Sequence, residues 1–141
     1  ESDHNVIIAK IFEKYKKIEA EEVLYEEYMT EDADIIITAF GSLFRNVKAA
    51  VNAGRKQGLK IGGFRPITLY PFPNKRLAEL SKQVDKIIVA EMNMGQMIRD
   101  VKVAVNGQAE VVHIGRPYGE WLDEDEILQA VRNGEKHAAS I

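Results

Sequence analysis

The chain has 141 residues, with 22 acidic and 19 basic side chains and a formal charge of −3. It contains no cysteine, which excludes disulfides, cysteine-ligated zinc, a cysteine nucleophile and thiolate-held iron–sulfur clusters on this chain. With 45% hydrophobic and 29% charged residues and only short apolar runs, the composition is typical of a folded domain in water, not of a membrane span. Because the sequence begins at Glu1 without a signal-like segment, we expect a cytoplasmic piece of a longer protein.

The charge is unevenly distributed along the chain. Residues 1–32 carry 10 acidic and 4 basic side chains, whereas residues 44–82 carry 9 basic and 1 acidic. A basic segment can attract phosphates, a CoA-like ligand or nucleic acid. Lys48, Arg55 and Lys56 fall on the outer side of a predicted helix, and no aromatic residues are interleaved with them. We therefore interpret the segment as a solvated helix surface and expect no nucleic-acid partner.

The spacing of apolar residues predicts alternating helices and strands. In chain order these are an amphipathic helix over 5–19, an edge strand over 23–28, a buried strand over 35–40, a helix opened by Gly41 and Ser42 and ended by Gly58, a strand within 60–70, a short helix with Asn74 as N-cap, a strand over 87–90, a helix from Met94 that ends before Asn106, a strand over 111–115, and a helix over 123–132 stopped by Gly134. Because right-handed crossovers leave few other arrangements, this alternation predicts a three-layer α/β/α domain with a mostly parallel sheet.

Ligands of open α/β sheets bind beyond the carboxyl ends of the strands, so the candidate site residues lie in the turns there. Ser42 follows the first buried strand and could help a helix N-terminus to hold a phosphate, although a helix cap is the simpler interpretation. Arg65 and Arg116 each precede a proline at or near a strand and are candidate partners for an anion.

The most unusual turn has the sequence EMNMGQM and runs from Glu91 to Met97. Asn93 as an N-cap with Gln96 three residues later is a variant of the capping box. Capping leaves Glu91 and Gly95 unexplained, so an interface to another domain or subunit is the alternative interpretation.

Three further groups are candidate sites. If the last two strands are neighbours, Glu91 and Arg116 end side by side, and we hypothesise an ion pair between them. His113 lies within a strand without an adjacent acid, so neither a zinc site nor a catalytic triad is indicated. The acidic run 123–126 fits the first turn of a helix, with Asp123 and Glu126 as a capping box, better than a metal site.

Several of these motifs together resemble a known family. They are Ala33-Asp34-Ile35 through Gly41-Ser42, the RPITLYPFP run from Arg65 to Pro73, the EMNMGQM turn, and Gly115-Arg116-Pro117. In order and spacing, over about residues 20–132, they resemble the C-terminal domain of the alpha subunit of 2-oxoacid:ferredoxin oxidoreductases. Tyr25-Glu26-Glu27-Tyr28, Asn106-Gly107 and the opening helix are most similar to the 2-oxoisovalerate type, with the 2-oxoglutarate type a close rival.

The resemblance implies a transketolase C-terminal-like fold with five strands, the first of them antiparallel, as an edge strand. It also implies oxidative decarboxylation of a 2-oxoacid by thiamine diphosphate, forming acyl-CoA and CO2 and passing electrons to ferredoxin. Thiamine diphosphate, Mg and the iron–sulfur clusters are then expected on other domains or chains, so no catalytic, cofactor or metal residue is assigned here. The implied partners are the thiamine-binding domain of the same subunit, the beta and iron–sulfur subunits, and ferredoxin and CoA at the level of the complex.

The domain boundaries and the role of the domain follow as expectations. Residues 1–20 are expected to be a linker helix from a missing upstream domain, 21–134 the transketolase C-terminal-like domain, and 135–141 a frayed tail. The domain is expected to assist assembly through Glu91, Asn93, Gly95, Gln96 and Arg116. The alternatives are an anion-binding module for part of CoA, a purely structural module, or the C-terminal domain of another transketolase-like enzyme. An apolar edge would favour docking, and a pocket lined by an arginine and unpaired backbone N–H groups would favour binding.

Overall fold

The computed structural model describes residues 2–116 and 119–133. The elements in chain order are α1 (Ser2–Glu21), β1 (Tyr25–Tyr28), β2 (Ile35–Ala39), a 3-10 turn (Gly41–Leu43), α2 (Phe44–Lys56), β3 (Ile61–Pro66), α3 (Asn74–Ser81), β4 (Lys86–Glu91), α4 (Met97–Val105), β5 (Glu110–Gly115) and α5 (Glu124–Asn133). Gly134 and the expected tail at 135–141 lie outside the described residues, as does Pro117.

One sheet contains all five strands, in the order β1-β3-β2-β4-β5. β2, β3, β4 and β5 run parallel, and β1 pairs antiparallel with β3 at one edge. This confirms the predicted mostly parallel sheet with an antiparallel edge strand. Because all four parallel strands point the same way, the loops that follow them leave the sheet at one edge, which we call the carboxyl edge.

Helices cover both faces of the sheet and enclose two separate cores. Ile37 and Ala39 point towards α2 and α5, whereas Ile36 points towards α3 and α4. The continuous apolar run of β2 follows from this arrangement, since successive side chains of a strand face opposite sides and both sides here are dry. The predicted three-layer α/β/α architecture is confirmed.

The helix ends agree with the predicted signals in some places and differ in others. Asp123 Oδ1 accepts a hydrogen bond from Glu126 N at 2.9 Å and Glu126 Oε2 accepts one from Asp123 N at 3.1 Å, so the capping box of α5 is confirmed. Asn74, however, is the first residue of α3 and makes no side-chain cap, because the N-cap position is taken by Pro73. The helix predicted from Met94 begins only at Met97, after an irregular turn.

α1 is a regular helix whose apolar side chains lie in solvent. Ile7, Ile11, Phe12 and Tyr15 are 47–63% exposed, apolar residues at helical spacing. The sheet therefore does not bury the apolar face of this helix.

The basic middle segment is paired with the acidic N-terminal segment. Glu26 on β1 lies against Lys48 and 3.4 Å from Arg65, and these cations hold the pKa of its carboxyl below the ordinary value, Lys48 most strongly. Glu27 is paired in the same way with Arg76. Arg55 Nη2 lies 2.7 Å from Asp32 and also donates to Met29 O. The interpretation of Lys48 and Arg55 as solvated helix residues is therefore wrong, because Lys48 is paired with the edge strand and Arg55 with the turn after it.

Candidate functional site at the carboxyl edge of the sheet

Glu91 is the last residue of β4 and its carboxylate is buried, with 4% of the side chain exposed. The residue points to the same side of the sheet as Ile87 and Val89, towards α4. Its Oε1 accepts a hydrogen bond from Met97 N at 2.6 Å, and its Oε2 accepts one from Ile98 N at 3.2 Å. Glu91 therefore satisfies two of the otherwise unpaired N–H groups at the start of α4.

The residues between Glu91 and Met97 form a tight turn. Asn93 Oδ1 accepts hydrogen bonds from Gly95 N at 2.9 Å and from Gln96 N at 3.1 Å. Gly95 has a φ of +101°, which other residues rarely adopt. The predicted hydrogen bond between Asn93 and Gln96 is thus present, but it does not cap the helix as predicted. It closes the turn before α4, which begins at Met97 and is capped by Glu91 from six residues upstream.

His113 on β5 completes the surroundings of this carboxylate. Its Nε2 lies 3.3 Å from Glu91 Oε2, although the ring N–H is not aimed at that oxygen in hydrogen-bond geometry. A Cβ on Gly115 would stand 2.5 Å from the His113 ring and 2.6 Å from Asn93 O, so the missing side chain makes room for both. The expectation that His113 has no acid beside it is wrong, because β4 and β5 are neighbours in the sheet.

Burial and hydrogen bonding act on Glu91 in opposite directions. Burial alone raises the pKa of the carboxyl, because it disfavours the charged form. His113 and the N–H groups of Met97 and Ile98 stabilise the carboxylate and more than offset burial, so the pKa lies below its ordinary value. The group is therefore a carboxylate at neutral pH and serves as a hydrogen-bond acceptor.

The hypothesised ion pair between Glu91 and Arg116 is wrong. Arg116 follows β5, and its guanidinium pairs with Glu126 of α5 and lies 3.3 Å from Glu120. Only the backbones are neighbours, with Arg116 N donating to Glu91 O at 3.3 Å. The cause is strand alternation: Arg116 is directed to the α5 side of the sheet and Glu91 to the α4 side.

The other two candidates lie apart from this turn. Arg65 pairs with β1, with its Nη1 3.4 Å from Glu26 Oε2, and its Nε is buried. Ser42 is exposed in the 3-10 turn after β2 and makes no side-chain cap there, so its predicted role as a helix cap is wrong. The structure thus gathers Glu91, Asn93, Gly95 and Gln96 in one turn and leaves Ser42 and Arg65 elsewhere.

Large apolar side chains are exposed after each of the four parallel strands. They are Phe40 after β2 (45% exposed), Leu69 and Tyr70 after β3 (46% and 66%), Met94 after β4 (63%) and Trp121 after β5 (59%), and we call this set the docking face. Exposed apolar groups gathered on one edge are typical of a surface that contacts another protein. Of the two methionines after Asn93, Met94 is exposed on this face, whereas Met97 is buried in the core.

A groove adjoins the docking face at Leu69 and Tyr70. It has a volume of about 910 Å³ and is lined by the end of α1, the start of β1, the loop after β3 and the side chains of α3. Its arginine, Arg76, already pairs with Glu27 and Glu79. Within residues 2–116 and 119–133, no group of three or more His, Asp or Glu side chains is placed to hold a metal ion. In the same part of the chain, no helix has the length and apolar character needed to cross a membrane.

The strand order and the antiparallel first strand define a transketolase C-terminal-like fold. Two solved structures share it: a 2-oxoglutarate:ferredoxin oxidoreductase from Magnetococcus marinus (TM-score 0.76, 21% identity, covering 94% of this chain and 23% of that chain) and a split-gene transketolase in an inactive beta4 tetramer (TM-score 0.67, 18% identity, covering 77% and 41%). Residues 33–127 match the family described as pyruvate:ferredoxin oxidoreductase core domain II, and the chain belongs to that family.

Comparison with individual relatives shows which type of oxidoreductase subunit this chain resembles. Over 120 residues the chain is 43% identical to ketoisovalerate oxidoreductase subunit VorB of Methanothermobacter marburgensis, covering 85% of this chain and 34% of that protein. It is 31% identical over 128 residues to 2-oxoglutarate synthase subunit KorA of the same organism, covering 91% and 34%. The resemblance to 2-oxoacid:ferredoxin oxidoreductases, with the 2-oxoisovalerate type most similar, is confirmed. The chain spans about a third of the length of these relatives.

Proposed function

We propose that this chain is a domain of one subunit of a 2-oxoacid:ferredoxin oxidoreductase. The complex would convert a 2-oxoacid and CoA to acyl-CoA and CO2 and pass two electrons to ferredoxin. The proposal is supported by the family match over residues 33–127 and by relatives that are named as subunits of ketoisovalerate and 2-oxoglutarate enzymes. The higher identity to the ketoisovalerate subunit favours 2-oxoisovalerate as substrate.

Within that complex, we assign this domain a role in assembly and no catalytic step. The observation that carries this assignment is the docking face, where each parallel strand is followed by an exposed large apolar side chain. The occupant we propose for this face is a partner subunit. The apolar side of α1 would instead cover the remainder of the same subunit, with residues 1–20 as the linker helix and 21–134 as the domain.

Thiamine diphosphate, Mg and the iron–sulfur clusters are placed by this proposal on other domains or subunits. The one buried carboxylate in the described part of the chain is committed to backbone N–H groups of α4. With no cysteine, the chain cannot supply thiolates to an iron–sulfur cluster. The alternative of an anion-binding module for part of CoA has less support, because Arg116 and Arg65 are both paired with glutamates.

Assembly can be tested in the full-length subunit expressed with its partner subunits. Met94→Asp and Trp121→Asp place charges on the docking face, and we expect each to weaken subunit association at least tenfold in sedimentation velocity. Val103→Asp is the matched control, because Val103 is 75% exposed on α4 away from the carboxyl edge. Association unchanged by both docking-face variants would refute the assembly role.

Ferredoxin reduction with 2-oxoisovalerate and with 2-oxoglutarate tests the substrate, and a higher kcat/KM for 2-oxoglutarate would refute the 2-oxoisovalerate assignment.

A further inference from the structure

Asn106 and Gly107 form an exposed turn between α4 and β5, at the edge of the sheet opposite the carboxyl edge. Both residues have a positive φ, +47° for Asn106 and +77° for Gly107. Asn106 directly follows the last residue of α4 and adopts the left-handed conformation, which asparagine tolerates better than most residues. The proposed assembly role makes no use of this Asn-Gly pair.

The backbone nitrogen of Gly107 is open to reaction. In the part of the chain that the structure describes, no backbone carbonyl accepts a hydrogen bond from it. No atom other than those of its chain neighbours lies within 4 Å of the place that a Cβ on Gly107 would occupy. Because glycine has no Cβ, no side chain of its own hinders an approach of this nitrogen to the side-chain amide of Asn106.

Only a small rearrangement is needed to bring the two groups together. Asn106 Cγ can reach Gly107 N when the bond between Cα and C of Asn106 rotates out of the left-handed conformation. One hydrogen bond closes the turn across this bond, from Gln108 N to Val105 O at 3.0 Å. Helix ends open locally at little cost in free energy, and the glycine can absorb the compensating change in backbone angles. The turn can therefore reach the reactive shape while the core stays folded.

Three other asparagines are held in different surroundings. Asn46 Nδ2 donates to Leu122 O at 2.7 Å, and Asn52 Oδ1 accepts from the Tyr28 hydroxyl at 2.8 Å. Both lie within α2, where helical hydrogen bonds hold the backbone. Asn93 Oδ1 accepts two backbone hydrogen bonds inside its own turn. None of the three is followed by glycine.

We propose that Asn106 is a site of spontaneous deamidation, which converts it to aspartate and isoaspartate with water as the only co-reactant. Gly107 N loses its proton and attacks Asn106 Cγ. The bond from Cγ to the side-chain nitrogen breaks, and this nitrogen takes up a proton and leaves as ammonia. Water then opens the resulting succinimide ring at either of its carbonyls. One water is consumed and one ammonia is released, and nothing is oxidised or reduced.

Either product loosens the end of α4. Both place a negative charge beside the last carbonyl groups of the helix, at the negative end of its dipole. Isoaspartate also adds one carbon to the backbone, so the spacing that allows the hydrogen bond from Gln108 N to Val105 O is lost. The proposal concerns the junction between α4 and β5 and does not depend on the assembly role.

The test uses the full-length subunit in its complex, incubated under native conditions and sampled over time. Peptide mapping by mass spectrometry measures deamidation at each asparagine, and an enzymatic assay detects isoaspartate in the separated peptides. The matched variant is Asn106→Gly, which retains a residue suited to the left-handed turn and lacks the side-chain amide. The second Asn-Gly pair, Asn133-Gly134, lies partly outside the described residues, so its peptide is scored separately.

We expect Asn106 to deamidate at least tenfold faster than Asn46 and Asn52 in the native complex, and within tenfold of its own rate in urea-unfolded protein. A smaller lead over Asn46 and Asn52, or a native rate more than tenfold below the unfolded rate, overturns the proposal. Isoaspartate should appear in the peptide that contains Asn106 and be absent from that peptide of Asn106→Gly. Hydrogen exchange at the end of α4 should be faster after incubation of the wild type but not of the variant. Equal exchange in both overturns the loosening of the helix end.

Discussion

The two ends of the β4–β5 strand pair each carry one acid and one base, in opposite surroundings. At the amino end, Lys86 Nζ lies 3.2 Å from Glu110, whose side chain is 59% exposed. At the carboxyl end, His113 lies 3.3 Å from Glu91, whose side chain is 4% exposed and also accepts two backbone hydrogen bonds. Exposed ion pairs contribute little to stability, because water and salt screen them. From this difference we expect Glu91 to contribute to stability mainly through the two backbone N–H groups that it satisfies, and not through its ion pair with His113.

The largest loss of stability is expected when the buried carboxylate at the carboxyl end is removed. Glu91→Ala removes the acceptor for Met97 N and Ile98 N and leaves a small cavity beside His113. Unsatisfied buried donors cost about 1–3 kcal/mol each, so we expect the free energy of unfolding to fall by about 3 kcal/mol. Urea denaturation of the purified chain measures this change. A loss below about 1 kcal/mol would show that water replaces the carboxylate without difficulty.

The contribution of Glu91 to stability is expected to depend on pH. The pKa of Glu91 in the folded chain lies below its ordinary value of 4.5, so its contribution to stability is present above that pH and is lost as pH falls through the folded pKa. We expect the stability difference between the wild type and Glu91→Gln to shrink as pH falls below 4.5. Glu26 and Glu27 also have lowered pKa values, but they titrate in both proteins and cancel in the difference. A difference that stays constant down to acid unfolding would contradict this account.

The smallest effect is expected at the exposed end. Glu110→Ala removes the partner of Lys86 where most of the acid already contacts water, so we expect the free energy of unfolding to change by less than about 0.5 kcal/mol. The measurement is the same urea denaturation, repeated in 0.5 M salt, in which the residual effect should vanish. A loss as large as that of Glu91→Ala would remove the distinction between the two ends.

Much of the fold could be predicted from the sequence because its signals are local. The apolar run of β2 and the alternation of strands and helices define a doubly covered parallel sheet, and Asp123 with Glu126 marks the start of α5. The contacts within the candidate site could not be predicted as well, because they depend on the face of the sheet towards which each side chain is directed. Glu91 and Arg116 do end neighbouring strands, but alternation within β5 sends Arg116 towards α5. The same alternation, counted back two residues from Gly115, would have placed His113 beside Glu91.

The pairing of the charges could not be predicted in the same way. The partners of Lys48, Arg65 and Arg76 lie on β1, and pairing an antiparallel edge strand with β3 requires long-range register that periodicity does not contain. The cap at Met97 has the same origin, since the usual signal lies next to the helix and here the acceptor comes from the preceding strand. The charge pairs and the cap of α4 are both contacts between elements, which local sequence does not predict, whereas the elements themselves follow from local sequence.

The short first strand also determines how the domain behaves among many copies of itself. An open sheet edge can recruit strands from other molecules and begin aggregation. β1 has only four residues, and two of them are glutamates that carry charge along this border of the sheet. A foreign strand that added there would have to strip Glu26 and Glu27 of their cations or bury them. The short, charged strand on this side of the sheet therefore opposes the addition of a strand from another molecule at this edge.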